Sequence, residues 1–265
     1  MPADEPRVAP SGAGWRSMFV SHRGAVRTAN EDSFLEAPDL GLWAIADGMG
    51  GHEAGQVASA TIVHALELLP KLASGEGTEA CVRERMAAAN DRLQELSREA
   101  FGGRTIGSTV ALLILRPEGA TCLWAGDSRI YRLRDGRLQR LTRDHSRTEE
   151  LIAQGVIEPE EAADHPAVNV ITRAVGAMSD LDLERRSEPV EAADRFLLCT
   201  DGFYRTVSDD EIAGILGRSD YKQAAKELLA LSLSREPADN VTLGVIQGNA
   251  DITLRSADPA GHKSG

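Results

Sequence analysis

The chain has 265 residues, 42 % of them apolar, and a formal net charge of −12 from 41 acidic and 29 basic side chains. That is enough apolar material for a sizeable core, and the acidic balance argues against the positive face that a nucleic-acid partner requires. No apolar run approaches the ~20 residues of a membrane span; the longest is VALLIL at 110–115.

Residues 1–14, rich in Pro, Ala and Gly, read as a flexible arm without the apolar segment of a signal peptide. Residues 15–24 predict a strand and a turn. Residues 33–37 and 40–46 predict a hairpin bent at Pro38-Asp39, whose second strand delivers Asp47 at its end. In 54–72, Ala58, Ile62, Ala65, Leu66 and Leu69 recur at helical spacing, and so do Val82, Met86, Ala89, Leu93 and Leu96 in 79–100. A linker, 74–78, separates the two helices. Four short strands follow at 108–116, 119–126, 128–134 and 137–142, the last two joined by Asp135-Gly136, the signature of a type I′ hairpin.

The strand pattern then breaks over 143–176. A short helix is expected in 145–157, followed by the acidic stretch EPEEAADHPAVN, and an insertion of this kind suits a flap beside a binding site. His64, His145 and His165 read as surface residues. Strands at 181–187 and 195–200 come next, then a helix at 208–216 with Ser208 and Glu211 spaced as a capping box. A helix at 221–235 and a strand at 241–247 follow, and 249–265 reads as a flexible tail. Residues 15–248 are expected to form one α+β domain, two antiparallel sheets with helices outside them. Cys81, Cys122 and Cys199 are widely spaced and form no CxxC pair, which points to free thiols in a reducing cytoplasm.

Four aspartates share one context. Asp47, Asp127, Asp201 and Asp239 each stand at the end of an apolar strand or just before one, and three adjoin Gly, which lets backbone approach an ion closely. With Glu31 and Asp32, five or six carboxylates would converge if the strand ends do. Unneutralised they would repel one another. Two divalent cations such as Mg²⁺ or Mn²⁺ would balance about four of those charges, and such a pair lowers the pKa of a water held between its ions from ~15.7 toward neutrality. That chemistry suits phosphate-ester hydrolysis, which needs up to ~10²¹-fold acceleration. Arg27 would hold the phosphoryl oxygens and His52 would protonate the leaving group.

The segments RTANEDS, DGMGGHEAGQVAS, TIGSTV, WAGDSRIYRL, TRDHS, ITRAVG, LLCTDGFY and ADNVT occur in the order of the metal-dependent protein phosphatases (PPM, type 2C), and the chain resembles that family from about Ser21 to Val245. DGMGGH is most similar to the bacterial branch. The resemblance implies a four-layer αββα sandwich with a flap and hydrolysis of phosphoserine and phosphothreonine in proteins, reversing serine/threonine kinases. It implies that Asp47 bridges two Mn²⁺ or Mg²⁺ ions and that Asp201 and Asp239 complete one site. The Gly48 carbonyl would serve the other, with Glu31 and Asp32 acting directly or through water. Arg27 would bind phosphate, and Asp127 matches a carboxylate of a third, weaker metal site.

Two positions depart from the pattern. Met49 stands where eukaryotic relatives carry the histidine proposed as general acid, and His52 lies three residues later. Arg205 stands four residues after Asp201, where many relatives have another Asp, so a cation faces the third site and two ions are expected. A binding module without activity would have lost a core ligand, and none is missing. A small-ester hydrolase fits the flap less well, and no P-loop is present. The expected form is a monomer that meets phosphorylated proteins through its surface or its flap.

Overall fold

The computed structural model describes residues 14–51, 53–69, 77–117, 119–162 and 164–248. In chain order the elements are β1 (Trp15–His22), β2 (Asp32–Ala37), β3 (Leu42–Met49), α1 (Glu53–Glu67), α2 (Thr78–Glu99), β4 (Gly107–Ser108), β5 (Val110–Arg116), β6 (Gly119–Ala125), β7 (Arg129–Arg134) and β8 (Arg137–Arg140). They continue as α3 (Arg147–Ala153), β9 (Glu184–Glu188), β10 (Arg195–Cys199), α4 (Asp201–Tyr204), α5 (Asp209–Arg218), α6 (Tyr221–Leu233) and β11 (Val241–Gly248).

The central strands are apolar on both faces because both faces are covered. In β3 and β5, Trp43, Ile45, Ala111 and Leu113 point between the two sheets, where they meet Trp15, Phe19, Phe196 and Leu198. Their neighbours Ala44, Leu112 and Ile114 point the other way, onto Ile62, Leu66, Met86 and Leu93 of α1 and α2. On the far side of the second sheet, Leu197, Leu243 and Val245 pack on Phe203, Ile212 and Leu228. Each fully buried Leu, Ile or Phe contributes about 1.5–3 kcal/mol. Three apolar layers separate four structural ones, the expected αββα sandwich.

Both sheets are antiparallel. One runs β1-β11-β10-β7-β8, the other β2-β3-β5-β6-β9 with β4 beside β3. The hairpin at Asp135-Gly136 has both residues at positive φ, +49° and +74°, as a type I′ turn requires. The Ser208–Glu211 capping box forms with both of its reciprocal bonds.

Several expectations change. The strand expected to end before Asp47 runs on through it to Met49, because Gly48 and Met49 pair with Ser108 and Gly107. That pairing partner lies far along the chain, so local pattern cannot show it. A 3-10 turn, Pro38–Leu40, replaces the simple bend of the first hairpin. The strand expected at 181–187 begins only at Glu184, since Leu181 and Leu183 turn into the outer core instead. His145 is not a surface residue. It is buried and stacks on Trp124. Its Nδ1 accepts from the Gly126 amide at 3.1 Å and its Nε2 meets Glu184 at 2.8 Å. His64 is exposed, and His165 is half-buried. Cys122 and Cys199 are buried, and burial pushes the Cys122 thiol up to about 12. The expected arm (but for Gly14), the tail, the end of the first helix beyond Leu69 and most of the linker lie outside the described residues, as does His52.

Candidate active site

The site lies where the two sheets present their ends to one rim. Asp32 opens β2 and sits directly opposite Asp47 of β3. Two carboxylates in that register destabilise a sheet. Asp127 follows β6, Asp201 begins α4 straight after β10, and Asp239 precedes β11. A cleft of about 700 Å³ is lined by Arg27, Glu31, Asp47, Asp127, Asp201 and Asp239 together with Gly48. Asp32 adjoins the cleft through its pairing with Asp47, and its Oδ2 accepts from Thr200 Oγ1 at 3.0 Å.

Charge is concentrated here beyond what the surroundings balance. Glu31, Asp32, Asp47, Asp127, Asp201 and Asp239 meet the guanidiniums of Arg27 and Arg205, and Arg235 and Glu236 at the rim offset each other, which leaves a formal charge of about −4 with all acids ionised. Burial, and then repulsion among the aspartates, drives Asp32 and Asp127 up to about 7. The same causes hold Asp47 well above the ordinary carboxylate range. Burial also raises Asp201, against the opposing pull of Arg205. Asp32 Oδ1 and Asp201 Oδ1 are buried with no hydrogen-bond donor. Such groups are costly unless something positive meets them.

Backbone geometry supports close approach. A Cβ on Gly48 would lie 2.0 Å from the Gly55 carbonyl oxygen, and one on Gly55 would lie 1.9 Å from Glu31 Oε2. Only glycine lets the start of α1 press against β3 with the Glu31 carboxylate wedged beside them. Among the described residues, no three His, Cys, Asp or Glu side chains form a ready-made cage for an ion. The fit to cations therefore rests on the orphaned oxygens, the unbalanced charge and the hard oxygen donors.

Arg27 stands half-exposed at the mouth. Its Nη2 meets Asp239 Oδ2 at 2.7 Å, so the acid site holds the phosphate-binding candidate at its edge. Arg205 reaches Asp201 Oδ2 at 3.1 Å and Asp127 Oδ2 at 3.9 Å.

Two residues that position the site, Thr109 and Asn240, have no strong signal in the sequence. Thr109 accepts from the Asp47 amide through its Oγ1 at 3.1 Å, donates its own amide to the Asp47 carbonyl at 2.9 Å, and touches Ser128 Oγ at 2.7 Å. It thereby joins Asp47 to the loop carrying Asp127. Asn240 accepts from the Glu31 amide at 2.8 Å and donates to the carbonyls of Arg23 and Ala29 at 3.0 and 2.9 Å. It pins the whole loop that carries Arg27 and Glu31. Their signal was a polar side chain at the edge of an apolar run, which many turns share. Asn240→Ala removes three hydrogen bonds at a buried side chain and is expected to cost about 2–3 kcal/mol in urea unfolding. A change under about 0.5 kcal/mol would show that the loop is held otherwise.

With this geometry in view, known proteins give the class. Residues 21–240 match the sequence profile of the family described as Protein phosphatase 2C. The chain belongs to the protein phosphatase 2C family. The serine/threonine protein phosphatase PstP of Mycobacterium tuberculosis is 35 % identical over 228 residues, 85 % of this chain, and the match spans 43 % of that relative's length. The serine/threonine phosphatase stp of Listeria monocytogenes is 30 % identical across 91 % of this chain and 98 % of its own. Among solved structures, PppA, described as a key regulatory component of the T6SS in Pseudomonas aeruginosa, superposes with a TM-score of 0.82 at 40 % identity, covering 90 % of this chain and 100 % of that one. The PstP catalytic domain solved in complex with two manganese ions gives a TM-score of 0.80 at 33 % identity, covering 89 % and 98 %.

Proposed function

We propose that the chain hydrolyses phosphoserine and phosphothreonine in proteins, using two Mn²⁺ or Mg²⁺ ions, and so reverses the action of serine/threonine kinases. The observation that carries this is the cleft itself, where Glu31, Asp47, Asp127, Asp201 and Asp239, with Asp32 adjoining them, outnumber the guanidiniums of Arg27 and Arg205 by a formal charge of about −4, and where Arg27 stands half-exposed. Two divalent ions balance that surplus and, when bound, supply an activated water at neutral pH.

The chain's own residues do the rest. Asp47, with its backbone fixed on both sides by Thr109, would be the ligand common to both ions. Asp201 and Asp239 would hold one of them. The Gly48 carbonyl would hold the other, with Glu31 and Asp32 acting directly or through water. Arg27 contacts the acids through Nη2 alone among the described contacts, so the remainder of its planar fork is free for phosphoryl oxygens. The cleft is open enough for a side chain presented by a protein, and Asn169 and Ile171 of the flap form one of its walls.

The test is phosphate release from a phosphothreonine peptide in Mn²⁺ or in excess chelator, for the native chain and Asp201→Asn. Turnover that requires Mn²⁺ and collapses in the variant is expected. Folded, Mn²⁺-loaded protein that releases no phosphate from a panel of phosphopeptides would overturn the reading.

A further inference from the structure

Residues 143–176 connect β8 to β9 and form the flap. Its base is held by backbone bonds. The Arg147 amide donates to Val170 and the Thr172 amide to His145, each at 2.8 Å. Among the described residues, Arg205 is the side chain that holds its inner tip. Arg205, next after α4, bonds Asn169 Oδ1 through Nη1 and donates from Nη2 to the Val168 carbonyl at 3.2 Å. The same Nη2 lies 3.1 Å from Asp201 Oδ2 and 3.9 Å from Asp127 Oδ2.

The Arg205 guanidinium therefore faces two ways, toward the site acids and toward the flap. Both acids are almost fully enclosed, with side-chain exposures of 7 % for Asp127 and 16 % for Asp201. Tyr204 completes the setting. Its hydroxyl donates toward Asp127 Oδ2 at 3.4 Å, and the Arg129 guanidinium stacks over its ring at 3.5 Å. A second cleft of about 540 Å³ lies behind this group, and Asp127, Asn169 and Arg205 line both clefts. These three residues are the partition between the two spaces.

We propose that Arg205 is a positioning residue that fills the place between Asp127 and Asp201 with a fixed cation and from there holds the flap against the active-site cleft. A guanidinium does both tasks because its planar fork presents several donors in fixed directions, which the single ammonium of lysine does not. Two consequences follow from the geometry. A divalent ion drawn to Asp127 must first displace Arg205, so the protein takes up two ions rather than three. Displacing Arg205 also frees the flap and opens one cleft into the other. The ion count rests on the phosphatase reading, whereas the flap contact does not.

The experiment separates them. Amide hydrogen exchange is measured on metal-free native protein, Arg205→Ala and Arg205→Lys, with the amides of α6 as an internal control for global folding. The amides of Val168 and Val170, which donate to His165 and Ala167, are expected to exchange about tenfold faster in Arg205→Ala, the loss expected for hydrogen bonds from a charged group. Arg205→Lys is expected to restore only part of the protection. Mn²⁺ uptake by calorimetry is expected to give two ions for the native chain and a third, weaker one for Arg205→Ala. Flap exchange that is unchanged in Arg205→Ala overturns the proposal, and so does uptake of three ions by the native chain. A chain that takes up no Mn²⁺ at all counts against the phosphatase reading, and the exchange result then judges the latch alone.

Discussion

Asp47→Asn is expected to abolish turnover and, in the absence of metal, to stabilise the fold. Asp47 faces Asp32 across a strand pair, and its carboxyl is held above the ordinary range by burial and by four neighbouring aspartates. The neutral amide removes an ionisation that the fold must suppress beside Asp32, a gain of about 1 kcal/mol or more. On the proposed function, the same change removes the ligand that both cation positions would share. Losing an outer-shell partner of a metal typically costs 10–100-fold, so losing this one should cost more than about 100-fold in turnover of a phosphopeptide. The two effects have opposite signs and are read by different measurements, urea unfolding in chelator and phosphate release in Mn²⁺. Turnover within tenfold of the native chain would remove Asp47 from the centre of the site. A fall in metal-free stability would show that the asparagine amide finds no partner there.

The second large effect is a stability that falls as pH rises in metal-free protein. Folded-state values of about 7 for Asp32 and Asp127 lie above the usual ~3.9 of an unfolded chain. Below about pH 4 these groups are protonated in both states and contribute nothing. Between about pH 4 and pH 7 the unfolded chain ionises first, so the folded state progressively loses ground, by about 1.4 kcal/mol per pKa unit for each of the two groups. His145 works the other way. Burial lowers its pKa, so acidification through its unfolded value of ~6.5 disfavours the fold. Several carboxylates oppose this one imidazole, and the net slope should follow the acids. Thermal unfolding in chelator is therefore expected to shift to lower temperature from about pH 5 to pH 7.5, and added Mn²⁺ should stabilise most at the upper end, where it no longer competes with protons. A metal-free melting temperature that rises across this range would mean that the acids ionise without strain.

Much of the architecture was legible because its causes are local. β3 and β5 read as continuous apolar runs since both of their faces are covered, and the hairpin at Asp135-Gly136 and the cap at Ser208 depend on two to four adjacent residues. The acids of the site were legible for a related reason. Each stands at a strand end or beside a glycine, and repeated acids in that setting are hard to explain as turns.

Contacts between distant segments were not legible. Asp32 meets Asp47 only through sheet register, and β3 extends through Asp47 only because β4 arrives from beyond two helices. Asn240 holds a loop more than 200 residues away in sequence. His145 looked like a polar residue of an exposed insertion, yet Trp124 and the Gly126 amide enclose it. Arg205 could be recognised from sequence as a cation facing acids, but not as a flap contact, because nothing local says where Val168 and Asn169 come to rest. The sequence by itself determined the family pattern, the acids that stand at strand ends and most of the strands and helices, since these follow from residue type and short-range spacing. Only the tertiary structure decided which carboxylates share a cleft and what neutralises and holds them, because those are properties of register and packing between parts of the chain that never meet in sequence.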